Sequence, residues 1–420
     1  MAGLTSLLGL ARDGIMAQSY ALSVTGQNVA NVNTPGYVRR EALLATRPAG
    51  NDTYGGLEAV GIRRVLDSYV ESRYFSNLGS TAQAKERDTS VGTIEALFND
   101  LSGTGLSDSL NAFFSSFSEV AANPTDMTAR SVVIQKAELL ASRFRDSAGA
   151  VNDFRRDLFN KAKDVTSLEI NQLSTQIADL NAKIKITEGT GGDAADLKDQ
   201  QRSILEQLSQ RIDIHSFTNT SGELVVGAAG TTLVEGTVAT QLSVDLANDG
   251  SMRLMATRAG STPADITSTL KGGVLGGIKE ARDTDAAYVS RQLDQLATDV
   301  ATAVNSQHSI GYGLDGQTNR NIFNVAAPPG SAATIAVSAD VWGHPEAIAA
   351  ASTAALLPGG ANNATALANI SIATVCAGGT RTPAESYSDL IGSIGTRKSS
   401  AQKDLDIRQA MQDQTSSMRD

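Results

Sequence analysis

Leu22 to Arg40 reads LSVTGQNVANVNTPGYVRR, the end of an amphipathic helix followed by a built-in stop. Asn28, Asn31 and Asn33 are spaced along it, and Thr34-Pro35-Gly36-Tyr37 closes it. A residue before proline is pushed out of the α region, so Thr34 cannot continue the helix. Pro35-Gly36 suits the two central positions of a type II turn, with fixed φ on the first and positive φ on the second. Asn31 or Asn33 can take the left-handed residue that ends a helix. Tyr37-Val38 should then leave in an extended conformation. Upstream, Leu8, Ile15, Leu22 and Val29 recur every seven residues, and Leu4 and Ala11 fill a second seam position that Gln18 and Thr25 weaken. This is a coiled-coil-type stripe that wants a partner helix. An ordinary surface helix on its own core has the same period. The stripe lies at the chain start with no neighbouring segment to cover it, which favours the coiled-coil reading.

Downstream of Tyr37 the pattern stays mainly helical, with a small all-β insert. Residues 36–65 carry short extended pieces, among them Val60 to Arg64. A helix follows from about Asp67 to Phe98. Leu110, Phe113, Phe114, Phe117 and Val120 then mark a core-facing helix that Asn123-Pro124 ends. From Thr128 to Thr187 Phe144, Val151, Leu158 and Val165 keep a seven-residue spacing, with Phe154 and Leu168 between them. Leu173, Ile177, Leu180 and Ile184 continue it in a shifted phase, so a break is expected there or at Gly149. Residues 194–213 return as a helix and complete a long hairpin. The expected architecture is an elongated long-helix hairpin or bundle rod. Its domains are 1–35, an N-terminal assembly helix; 36–214, a helical rod with an extended lead-in; 215–270, the β insert; and 271–420, the return of the rod, with short strands at 322–340.

The net charge is −10, and basic residues group in no cluster beyond pairs such as Arg39-Arg40, Arg63-Arg64 and Arg155-Arg156. That gives no nucleic-acid footprint, and the pairs read as solvated surface. Cys376, the only cysteine, reads as an inert buried thiol. His215, His308 and His344 are far apart, with no second ligand at metal spacing. Gly311 to Gly316 matches G-x-G-x-x-G but follows a helix and leads into polar loop, so it lacks the strand–turn–helix context of a dinucleotide site. Asp283 and Asp285 read as solvated charge on a helix surface. No catalytic constellation, metal or cofactor is implied, and no apolar run reaches membrane-spanning length.

Ala30-Asn31-Val32-Asn33-Thr34-Pro35-Gly36-Tyr37 resembles, without a gap, the N-terminal signature of the bacterial flagellar axial proteins: rod, hook and hook-associated subunits. The long central helices are similar to the hook-associated members at the hook–filament junction. So are Asp196 to Leu208, Gly273 to Gly277, Asn305 to His308 with Gly311 and Asp315-Gly316, and Ser386 to Ile391. The resemblance implies a self-assembling structural subunit, exported by the flagellar type III route without a cleaved signal and placed outside the cell. Its implied partners are further copies of itself in a ring, the hook protein, a second junction or filament-side axial protein, and an export chaperone. Leu4, Leu8, Ala11, Ile15, Leu22 and Val29 would form the inner helix contact. Asn31 to Tyr37 would turn the chain outward, and Arg39, Arg63, Arg64 and Asp67 are candidate inter-subunit polar contacts. Family members end in a further apolar heptad helix that packs on the N-terminal one. The sequence stops in a polar stretch at Asp420, so a truncated product or fragment is expected, with residues 1–30 mobile or only locally docked in the monomer. A rod or hook subunit, or a secreted coiled-coil interaction protein outside the flagellum, are the alternative readings.

Overall fold

The computed structural model describes residues 2–32, 34, 37–47, 56–98 and 105–419. In chain order the elements are α1 (Ala2–Ala30), β1 (Arg40–Thr46), β2 (Leu57–Arg64), α2 (Ser68–Leu97), α3 (Leu106–Ala122) and α4 (Met127–Asp164). After the π-helical segment Val165–Ile170 come α5 (Asn171–Gly189), α6 (Ala195–Arg211), β3 (Ile214–Thr218), β4 (Leu224–Ala228), β5 (Thr231–Glu235), β6 (Val238–Ala239), β7 (Gln241–Leu246), β8 (Met252–Thr257) and β9 (Ala264–Asp265). Then follow α7 (Gly273–Glu280), a second π-helical segment Ala281–Ala286, α8 (Ala287–Ser309), β10 (Phe323–Asn324), α9 (Ser331–Thr334), β11 (Ala336–Val337), α10 (Asn362–Asn369) and α11 (Pro383–Arg419). The fold is mainly α with small antiparallel sheets. It forms two compact units. The first comprises Met1–Lys85, Ala162–Gly277 and Leu405–Asp420, the second Glu86–Lys161 and Ile278–Asp404.

In the first unit the α5–α6 hairpin buries Ile177, Leu205, Leu208 and Ile212 against two small sheets, ordered β3-β4-β5-β6 and β7-β8-β9. Two asparagine side chains fasten the strands to the helices. Asn171 bonds both backbone groups of Leu242, at 2.9 and 2.8 Å, as a neighbouring strand would. Asn181, buried, donates to the Leu224 and Gly236 carbonyls. Gly227 faces His215 across the β3–β4 pair, where a Cβ would stand 2.2 Å from the imidazole Nε2, so any other residue would make the exposed ring swing away. The shifted hydrophobic phase has a physical origin: the helix runs unbroken through Gly149 and takes up the shift as the π-helical turn at 165–170. Its wider turn brings Val165, Thr166 and Ile170 inside and leaves Leu168 exposed.

The second unit holds one apolar core. Phe113 of α3 packs on the rings of Phe114, Phe117 and Phe323, with centroids 5.2–5.4 Å apart. Phe144 and Val151 of α4, Leu293, Leu296, Val300 and Val304 of α8, and Leu390 and Ile394 of α11 complete it. Cys376 is buried there, and burial pushes its thiol up to about 12. Asp285 departs from the sequence reading: it is fully buried, bonded to Arg87 and Arg397, because the π-helical turn rotates it inward. Arg130 is also fully buried. It spends its guanidinium on the Pro124 and Ile348 carbonyls instead of a carboxylate, and burial lowers its pKa to about 10.

His308 pins the loop that follows α8. Its Nδ1 donates to the Arg320 carbonyl at 2.8 Å, and its Nε2 accepts the Ala349 N–H at 2.9 Å. Only a neutral ring does both. Burial pushes its pKa down to about 4, with Arg320, Asp340 and Arg130 as the charged neighbours. The unfolded chain, near 6.5, therefore binds the extra proton between those values. The stabilisation is complete above pH 6.5 and about 3 kcal/mol of it is lost as pH falls to 4. Urea unfolding at pH 7 and pH 4.5 should show the pH slope reduced in His308→Gln. An unchanged slope would mean that the imidazole does not carry this dependence.

Candidate assembly site

Helix α1 has two faces. Asp13, Ala17, Ala21, Val24 and Asn28 lie along one line at helical spacing and dock on the β1–β2 hairpin, with Ala17 and Val24 only 2% and 3% exposed. Asp13 accepts from Arg47 at 3.3 Å. At 100° per residue the heptad stripe lies about 140° away around the helix. Leu4, Leu8, Ile15, Leu22 and Val29 are 65–75% exposed and Ala11 is exposed with them. Docking thus uses small and polar residues, and the large apolar side chains point to solvent.

The stop after α1 combines main-chain and side-chain bonds. Ala30 is the last helical residue. Asn31 bonds back to the Gln27 carbonyl through its N–H at 3.0 Å and through Nδ2 at 2.9 Å. Its own carbonyl accepts the Thr34 N–H at 2.9 Å and its Oδ1 the Thr34 hydroxyl. Asn31 is not left-handed, contrary to one of the two options read from the sequence; these bonds close the helix without a positive φ. Asn33, Pro35 and Gly36 lie outside the described residues, and the type II turn with them. The Tyr37 N–H reaches the Thr34 carbonyl at 3.2 Å.

Asn28 fixes where the chain goes next. Its Oδ1 accepts the Arg40 N–H at 2.9 Å and the Tyr37 hydroxyl at 3.0 Å, and its Nδ2 donates to the Arg40 carbonyl at 2.8 Å. One amide thus holds the main chain of the first β1 residue. Arg40 stacks over the Tyr37 ring, 4.9 Å from its centroid, and bonds Asp196 and Asp199 of α6, each at 2.7 Å. Burial opposes its charge, but these two carboxylates outweigh it and raise the Arg40 pKa. Burial also raises the Tyr37 pKa; Arg40 counters it, and Asp199 and Asp196 add to it. Arg64 meets Asp199 at 2.8 Å in a contact too poorly angled for a hydrogen bond, and burial lowers its pKa. Arg202 closes the set with a buried two-point bond to Glu71, 2.8 and 2.6 Å.

The arginine pairs do not behave as solvated surface throughout. In Arg39-Arg40 and Arg63-Arg64 one residue is exposed and the other drawn inward, because successive residues of an extended chain point to opposite sides. Arg39 and Arg63 share Glu41, at 3.0 and 2.7 Å. Asp67 accepts the N–H groups of Tyr69 and Val70, capping α2. The four candidate polar contacts are therefore scattered over three local arrangements.

A family model described as the flagellar hook-associated protein FlgK helical domain matches residues 91–323. The chain belongs to the FlgK family of flagellar hook-associated proteins. A second model, that of the flagella basal body rod protein, matches residues 8–37, which hold the stripe from Leu8 onward, Asn28 and Tyr37. Flagellar hook-associated protein 1 of Salmonella typhimurium is 29% identical over 335 residues, 77% of this chain and 60% of the relative. That of Bacillus subtilis is 27% identical over 448 residues, 95% of this chain and 87% of the relative. The chain thus spans about six tenths of the length of the Salmonella relative. The flagellar hook junction protein FlgK from Burkholderia pseudomallei shares the fold, with a TM-score of 0.72 at 16% identity over 83% of this chain and 99% of that one.

Within this FlgK-family chain Asn28 had only its spacing from Asn31 and Asn33 to mark it, Asp196, Asp199 and Arg202 were marked only as part of the family-like stretch Asp196 to Leu208, and Glu71 had no signal at all. Asn28→Ala removes three bonds at once and should weaken local docking of β1 by about 2–3 kcal/mol. Amide exchange at Arg40 should speed by a factor of ten or more, with amides of the second unit's core unchanged. Equal protection at Arg40 would show that the hairpin holds without Asn28.

Proposed function

We propose that this chain is an axial subunit of the bacterial flagellum that assembles on the distal hook, in a ring of its own copies, as the junction between hook and filament. The observation that carries this is the exposed stripe Leu4, Leu8, Ala11, Ile15, Leu22 and Val29 on a helix already docked by its other face. An apolar row of this length gains by being covered, at about 1.5–3 kcal/mol for each large side chain buried. The hook-associated names of the relatives support the same reading. Asn31 to Tyr37 turn the chain from the assembly helix into the body of the subunit. Arg39 and Arg63 keep exposed heads and serve as polar contacts between subunits; Arg64 is drawn into the fold and Asp67, though exposed, caps α2. The role is architectural, with no chemical step. The hook protein, a filament-side axial protein and an export chaperone are its partners, and the flagellar export route delivers it outside the cell.

Electron microscopy of isolated hooks lacking their junction ring tests this. The full chain, added to such hooks, should build a new layer at the distal tip. Ile15→Glu/Leu22→Glu should keep its helical spectrum and build none. No layer from the folded full chain, or a normal layer from the double variant, would contradict the proposal.

A further inference from the structure

In the first unit asparagine side chains close the open positions of two strands, and one strand edge is left without such a guard. Asn171 takes the N–H and C=O of Leu242 on the outer side of β7, and Asn181 takes those of Leu224 at the start of β4. The outer strands β6 and β9 are only two residues long, which blunts an edge by itself. Strand β3 has five residues, pairs with β4 alone and carries neither proline nor lysine.

The ladder shows which β3 groups are unused. The Asn219 N–H donates to the Glu223 carbonyl at 2.9 Å, and the Leu224 main-chain groups point away from β3, to Asn181. Bonded and open pairs alternate along an antiparallel ladder. His215 and Phe217 therefore bond to β4, while Ser216 and Thr218 turn their N–H and C=O groups to the outer side. There no described residue bonds to them. A groove of about 470 Å³ runs beside this edge, lined by Ser216, Phe217 and Thr218 and by Ile62 and Leu66 around the end of β2. The Phe217 ring is 57% exposed. Main-chain donors and acceptors in alternation, beside an apolar ring, match the backbone of an extended peptide.

The charges of the groove say what kind of peptide. Lys185 holds Glu223 at 2.7 Å, Lys198 holds Glu188 at 2.5 Å, and Arg202 and Arg64 meet Glu71 and Asp199. With its cations already matched, the groove favours an uncharged segment, since a charged one would be desolvated without a counter-ion. A second copy supplies none. Its β1 and β2, each paired on one side only, carry Glu41, Glu58, Arg63 and Arg64. Two antiparallel β3 edges would need a two-fold axis, and each copy carries a net charge of −10.

We propose that the outer edge of β3 is a strand-addition site for an uncharged extended segment of a different protein. The added strand bonds to Ser216 and Thr218, and an apolar side chain of that strand covers Phe217.

The test uses the full chain as a monomer and a displayed library of random short peptides, from which the enriched sequences are synthesised with blocked ends. They should be uncharged and β-prone. On binding, amide exchange at Ser216 and Thr218 should slow about tenfold or more, while His215 and Phe217, bonded to β4, change little. Thr218→Pro removes only an outward N–H, as edge strands tolerate, and should weaken binding at least about tenfold with an unchanged far-UV spectrum. Phe217→Ser, at an exposed ring, should weaken it as well and decides the matter if the proline variant misfolds. No enriched peptide, enriched peptides that carry charge, unchanged exchange at Ser216 and Thr218 in the complex, or full affinity in both variants would overturn the inference. So would self-association of the wild type in sedimentation that Thr218→Pro abolishes, because the occupant would then be a second copy.

Discussion

One side chain amide, that of Asn28, sets the relation between the terminal helix and the rest of the first unit. It holds the Arg40 N–H and carbonyl and the Tyr37 hydroxyl together. Arg40 can then reach Asp196 and Asp199, and β1 starts in register with β2, pairing Arg40 with Arg64. Arg64 in turn meets Asp199. With this side of α1 committed, the Leu4 to Val29 stripe has no choice but to face out. The exposed apolar face is thus a consequence of satisfied polar bonding on the other side of the same helix.

The same logic governs the charges. Each arginine drawn inward has a defined duty or an unmet one. Arg40 and Arg64 meet carboxylates of α6, Arg130 meets only carbonyls, and Arg155 meets none. Buried charge is expensive unless paired, so the pairing pattern shows which inward-drawn arginines the fold itself satisfies.

Local periodicity made most of the helices legible. The aromatic spacing of Leu110 to Val120 and the Leu293 to Val304 row sit in the core as their period requires. The phase slip after Val165 was visible as a slip, but its form, a π-helical turn, depends on how the wider turn packs. What stayed hidden was set by distant partners. Asp285 looks like surface charge until Arg87 and Arg397, far away in sequence, close on it. Asn28 is one polar residue among several, and its role needs the position of β1. The β1–β2 pairing also carries a register shift at Leu43/Leu44, which alternation alone does not give away.

The central claim is that α1 docks inward by its small polar face and assembles by its apolar one. A photo-cross-linking residue placed at Leu22, and separately at Val24, tests it directly in chains added to stripped hooks. The account predicts that Val24 cross-links within the chain, to residues 40–64, before and after assembly, while Leu22 cross-links to another subunit only after it. Intermolecular products from Val24, or none from Leu22 in an assembled layer, would contradict it.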